Sequence, residues 1–200
     1  MSNDHYRTLG TAGEGYLREK ASRFHAWAFP IADEAAFKQR LEAIAHEHPS
    51  SRHVCHAWVL GPDGLQYRAN DAGEPSGTAG RPILRRIQAM DLAFTAVVVV
   101  RYFGGTLLGK AGLVHAYGEA AQAALDQATI VDRLLTRDLR ATCTYAQVDE
   151  MRQEVMRLGG SVRDAAFGDP CKLLLAVPLG SIDALAARWR LRGITVDQVK

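Results

Sequence analysis

The sequence predicts an α+β protein built as two domains, and three observations carry that prediction. The run Ala96–Val100 is short, apolar and β-branched, as a buried strand would be. Two glycine-rich segments, residues 70–82 and 101–112, each lead directly into a helical pattern. From about Leu134 the hydrophobic rhythm changes to strand, helix, strand, strand, helix, strand. The expected boundaries are 1–130 for the first domain and 135–200 for the second.

Within the first domain, residues 21–29 alternate and carry Phe24, Trp27 and Phe29 before Pro30, which reads as a strand. Asp33 is placed to cap a helix with Phe37, Leu41, Ile44, Ala45 and His48 on one face, closed by Pro49. Residues 53–60 and 65–69 read as a hairpin around Gly61-Pro62-Asp63-Gly64. Pro82 suits the first turn of a helix bearing Ile83, Leu84 and Ile87. A strand over residues 94–102 and a helix over about 113–128 complete the block.

In the second domain Leu139, Ala141, Cys143 and Tyr145 alternate as a strand would, and Val148, Met151, Val155 and Leu158 line a helix that Gly159-Gly160 stops. Residues 162–167 and 172–177 are the middle strands, turned by Gly168-Asp169-Pro170. Ser181 is placed to cap a helix carrying Ile182, Leu185, Ala186 and Trp189, ended by Gly193 before a last strand. This order is the ferredoxin-like βαββαβ pattern. Residues 129–138 join the blocks without a Gly/Pro/Ser linker.

Composition narrows the class. With 200 residues, 48% hydrophobic and 23% charged, the chain can bury real cores and is not disordered. A net charge of +2 argues against a general polyanion binder but leaves room for a local basic patch. No apolar run approaches the roughly 20 residues of a membrane helix, and no apolar signal region opens the chain. Cys55, Cys143 and Cys171 are odd in number, far apart and without CxxC spacing, so reduced thiols in a cytoplasmic protein are expected.

Chemistry concentrates in the glycine segments. Residues 70–82 hold Asp71, Glu74, Ser76 and Thr78 ahead of a helix start, where free N–H groups and the dipole favour an anion. An equally weighted reading has Ser76 or Thr78 capping the helix while Asp71 and Glu74 stabilise the turn. Arg101, at the mouth of a buried strand, needs a partner that Asp71 or Glu74 can supply, unless it is held ready for phosphate. Gly104-x-x-x-x-Gly109-Lys110 has nearly the spacing of a phosphate-binding loop, but Ala111 removes the hydroxyl that would ligate Mg²⁺. His46, His48, His53, Cys55 and His56 cluster in sequence, yet only His53 and Cys55 share a strand face, too few for a structural zinc site. No metal or cofactor is expected.

The runs Asp71-Ala72-Gly73-Glu74-Pro75-Ser76-Gly77-Thr78-Ala79-Gly80-Arg81-Pro82-Ile83-Leu84 and Val99-Val100-Arg101-Tyr102-Phe103-Gly104-Gly105-Thr106-Leu107-Leu108-Gly109 closely resemble the YigZ/IMPACT family, as does Arg52-His53-Val54-Cys55-His56-Ala57-Trp58. The resemblance covers residues from about 20 to 125, and a YigZ-type C-terminal domain accounts for the rest. It implies a first domain like the second domain of a small-subunit ribosomal protein and domain IV of elongation factor G, and a second like that factor's domain V. It further implies translation control, which eukaryotic members exert through protein contacts with an activator of a stress kinase. Where the family usually carries Asp, Thr, Gly and Arg, this chain has Ala72, Lys110, Ala111 and His115, which makes the surface more basic.

Three functions follow as expectations. The first is a non-catalytic binder of RNA or the ribosome, with Arg101, Lys110, Arg81 and Arg85 on phosphates, Ser76 and Thr78 beside them, and Tyr102 or Phe103 stacking on a base. The second is an enzyme acting on a small phosphorylated substrate through Asp71, Glu74, His53 and Arg101. The third is a protein-interaction module anchored by exposed aromatics.

Overall fold

A computed structural model of the protein describes residues 4–199. The chain is α+β and divides into two compact units, one spanning Tyr6–Asp132 and one comprising the chain from Arg133 onward together with Asp4 and His5. Two short strands, β1 (His5–Leu9) and β7 (Ile130–Leu134), pair as a separate ribbon. Among the described residues, no helix is long and apolar enough to cross a membrane.

The first unit is built on a five-stranded antiparallel sheet in the order β2-β3-β6-β4-β5, formed by Gly13–Glu19, Ser22–Pro30, Thr95–Tyr102, His53–Leu60 and Gln66–Asn70. Its central strand is the valine run, whose alternate side chains enter two cores. Val98 and Val100 pack with Phe29, Phe37, Ile44 and Trp58 under helix α1 (Glu34–Glu47). Val97 and Val99 pack with Phe24, Cys55, Ile83 and Tyr117 under α2 (Gly80–Ala89) and α3 (Gly109–Gln127). Each such side chain contributes about 1.5–3 kcal/mol by leaving water, so this strand anchors both layers. Asp33 caps α1 by accepting from the Ala36 N–H at 2.7 Å.

Strand β2 is not apparent in the sequence because Gly13 and Gly15 read as loop residues. The fold requires both: a Cβ at Gly13 would lie 2.3 Å from the Ala124 carbonyl oxygen, and one at Gly15 2.4 Å from the Ala124 nitrogen. Glycine there lets α3 lie directly on the strand.

The second unit holds β8 (Thr136–Cys143), α4 (Tyr145–Arg157), β9 (Ser161–Ala166), β10 (Cys171–Pro178), α5 (Ile182–Leu191) and β11 (Thr195–Gln198). The antiparallel order β11-β8-β10-β9 is the ferredoxin-like one, closed over Leu139, Met151, Leu173, Leu175 and Trp189. Three local expectations need correction. Tyr145 does not extend the strand: it is 75% exposed and opens α4, because Thr144 and Gln147 form a capping box. Ser181 makes no cap, since a 3₁₀ turn, Leu179–Ser181, already leads the chain into α5. Residues 129–138 are not a plain joint but contain β7 and the start of β8. Arg188 and Arg192 form ion pairs with Glu154 and Glu150 on the surface.

Candidate functional site

The loop from Asn70 folds back on the start of α2 through positive φ angles at Ala72, Gly73 and Gly77. That turn delivers the Asp71 carboxylate to the N–H groups of Gly77, Ala79 and Gly80, at 2.8, 2.9 and 2.8 Å. Burial alone would raise the Asp71 pKa. The three N–H donors and the Arg81 charge outweigh it and hold the carboxyl below its ordinary value. The helix N-terminus is therefore occupied by the protein's own anion. Neither Ser76 nor Thr78 caps it: Ser76 is exposed, and the buried Thr78 hydroxyl donates to the Pro75 carbonyl at 2.6 Å.

Beneath this loop sits a sealed polar cluster. Glu74 accepts from Arg101 at 2.7 Å and from the Tyr117 hydroxyl at 2.8 Å. Arg101 also donates to the Ser22 hydroxyl at 3.3 Å, and its guanidinium lies between the rings of Phe24 and Phe103, 5.6 and 5.3 Å from their centres. Its Nε is buried without a hydrogen-bond partner among the described residues. The Cys55 thiol lies 3.0 Å from the Asp71 carbonyl oxygen and 3.3 Å from the Tyr117 hydroxyl. Burial pushes that thiol up to about 12, with Glu74 and Asp71 adding to the shift. Burial, then Cys55 and Glu74, raises Tyr117 as well. His53 donates from Nδ1 to the Ala72 carbonyl at 2.9 Å.

Two adjoining clefts open above this cluster. One, about 390 Å³, is lined by Arg52, His53, Glu74, Arg101 and Lys110 with an apolar wall of Phe103, Leu107, Leu108 and Leu113. The other, about 480 Å³, is lined by Arg23, Ser50, Arg52, His53, Arg101, Tyr102 and Phe103. Lys110 projects from the first turn of α3, and Phe103 and Leu107 are 53% and 81% exposed. Arg23, Arg52 and Lys110 form no ion pair among the described residues.

The structure thus brings Arg101, Lys110, His53 and Glu74 to one cleft and Tyr102 to its neighbour. Arg85 lines a different cleft of about 280 Å³ with Pro82, Arg86 and Val114, and Arg81, Ser76 and Thr78 line neither of the two. Arg23 and Arg52 were missed by sequence reasoning. A sequence signal was available, since each stands at or beside the end of a strand, as Arg101 does; the structure then sets His53 opposite Arg101 and Arg23 opposite Tyr102. No group of three or more His, Cys, Asp or Glu is placed to hold a metal among the described residues.

These features define a two-unit α+β protein with a glycine-framed, cation-rimmed cleft beside a buried Arg–Glu pair. Residues 20–125 match the Impact N-terminal domain, and the chain belongs to the IMPACT family. It is 33% identical over 171 residues to the IMPACT family member YigZ of Escherichia coli K12, covering 84% of each chain. To the IMPACT family member YvyE of Bacillus subtilis it is 35% identical over 150 residues, 75% of this chain and 69% of that one. A crystal structure of a hypothetical protein superposes with a TM-score of 0.71 at 30% identity, over 98% of both chains.

Proposed function

We propose that this protein is a non-catalytic regulator that acts in translation in the cytoplasm, by binding RNA on the ribosome through the cleft between its glycine loops. The observation that carries this is the imbalance of charge at the cleft. Arg23, Arg52 and Lys110 stand at its rim without ion-pair partners among the described residues, while Glu74 is buried and already neutralised by Arg101. Unpaired cations beside an exposed Phe103 and a half-buried Tyr102 suit phosphates with a base alongside. Arg101 holds the loops together in this scheme, and Arg52 and Lys110 make the phosphate contacts.

Catalysis has less support. Asp71 is engaged by three N–H groups, Glu74 by Arg101 and Tyr117, and His53 by a carbonyl. Each candidate acid or base thus has a structural task.

The test is co-sedimentation with ribosomes over a salt series, comparing wild type with Arg52→Ala/Lys110→Ala. Both side chains are exposed, so the variant should fold. Binding should weaken with salt, and the variant should lose about two units of the slope of log K against log salt. Binding that ignores salt, or that the variant retains in full, overturns the proposal. Association that survives nuclease treatment points instead to a protein partner.

A further inference from the structure

Helix α1 covers only part of its face of the five-stranded sheet. Reaching outward from the α1 core, strands β2 and β3 place three cross-strand pairs side by side: Glu14 with Trp27, which is half-buried against that core, Tyr16 with His25, and Arg18 with Arg23. Alternation turns Leu17 and Phe24 to the opposite, helix-packed face. What remains is a field of rings. Tyr16 is 53% exposed and meets the His25 ring edge-on at 4.9 Å. His25 stacks near-parallel to Trp27 at 6.4 Å, and His48 sits 5.0 Å from Trp27. A 2.7 Å hydrogen bond between His48 Nδ1 and the Tyr102 hydroxyl fixes the border nearest α1.

The charges on this field are arranged against the fold's own interest. Arg18 and Arg23 face each other directly across two strands, and like charges in that position are destabilising. Neither has an ion-pair partner among the described residues. Arg23 lies over the Tyr102 ring at 5.3 Å and also lines the basic cleft with Arg52, so the field runs without a break into that cleft. Its carboxylate on this face, Glu14, is at the far end of β2 from the arginines.

We propose that this sheet face binds a short stretch of single-stranded RNA, with bases on the exposed Tyr16 and the open part of Trp27, His25 bracing both rings, and phosphates on Arg18, Arg23 and onward to Arg52. The choice of RNA rests on the function proposed above; the choice of an unpaired strand rests on this surface. Aromatic faces accept any base, and paired cations accept the backbone. In a duplex each base already stacks on its neighbours, so only an unpaired strand can offer a base face to this surface.

The experiment is fluorescence anisotropy of the full chain with a labelled oligouridylate of about 12 nucleotides, alongside the same length as duplex RNA and as single-stranded DNA. Tyr16→Ala removes an exposed ring and should weaken binding roughly tenfold. Arg18→Ala/Arg23→Ala relieves a like-charge contact, so it should fold at least as well, and it should lose about two units of salt slope. Trp58 and Trp189 are buried, so quenching of tryptophan emission by the oligonucleotide should vanish in Trp27→Phe. Equal binding of duplex RNA, or full affinity in Tyr16→Ala, overturns the proposal. Comparable affinity for single-stranded DNA keeps the surface and removes only the preference for RNA. Tyr16-dependent oligonucleotide binding without ribosome association would sink the ribosomal function and leave this site standing; ribosome association without oligonucleotide binding would do the reverse.

Discussion

The Glu74 carboxylate meets the Arg101 guanidinium at 2.7 Å with both side chains sealed from water, at 3% and 6% exposure. The pair joins the first glycine loop to the end of β6, and Tyr117 on α3 donates to the same carboxylate. Three segments distant in sequence therefore share one charge pair. Removing one partner strands the other in a low-dielectric interior.

Glu74→Gln should accordingly destabilise the protein by about 3–5 kcal/mol, read as a lower urea midpoint at constant m value. Arg101→Met/Glu74→Leu should cost clearly less than the two single changes together, because no charge is left buried. Additive costs would show that the pair is not coupled. It follows that loss of ligand binding in an Arg101 variant reports a damaged loop rather than a missing contact.

Adjacent glycines in the second loop should behave differently. A Cβ at Gly104 would lie 1.9 Å from the Ala21 carbonyl oxygen, whereas Gly105 has open space and a φ of +86°. Gly105→Ala should cost only backbone strain, roughly 1–2 kcal/mol. Gly104→Ala must displace backbone and should cost about 3 kcal/mol or more. Thermal melts of the two variants settle the order, and equal losses would contradict the close approach to Ala21.

Acid should destabilise the first unit through its histidines. Burial lowers the pKa of His56, helped by Arg68 and opposed by the Val54 carbonyl that its Nδ1–H meets. Burial, then His48 and Arg23, lowers His25 too. As pH falls below the ordinary imidazole value of 6.5, the unfolded chain takes up protons before the folded one. Stability is then complete above that value and is lost as pH falls through the folded pKa values. His56→Phe, which keeps a ring against Phe37, should flatten the fall in melting temperature between about pH 7 and 5. An unchanged slope would mean that His56 is not held neutral.

Much of this architecture was legible where the determining contacts are local. The Gly61-Pro62-Asp63-Gly64 turn announces the β4–β5 hairpin, the valine run announces β6, and the hydrophobic periods of the second unit give its element order. Arg101 could be said to need a carboxylate, because a charge at a buried strand's end must be compensated. What stayed hidden depends on contacts made across the fold. Gly13 and Gly15 look like loop residues until α3 lies on them. The α2 cap comes from Asp71, eight and nine residues before the N–H groups of Ala79 and Gly80, beyond any local capping pattern. The ring field needs β2, so missing that strand hid the platform as well.

Cys55 offers the sharpest check on whether this core is built as described. Its thiol is fully buried between the Asp71 carbonyl and Tyr117, and burial pushes it up to about 12. The thiolate is the reactive form, so Cys55 in the native protein should resist a disulfide-exchange reagent near neutral pH. Cys143 and Cys171 are buried too, and burial also raises Cys143. All three thiols should react only as the protein opens, at a rate that climbs with urea. Tyr117→Phe should speed labelling of Cys55 more than of the other two, because it loosens the cluster that encloses it. Rapid labelling of Cys55 in the folded protein would mean an accessible thiolate and would contradict the sealed cluster described here.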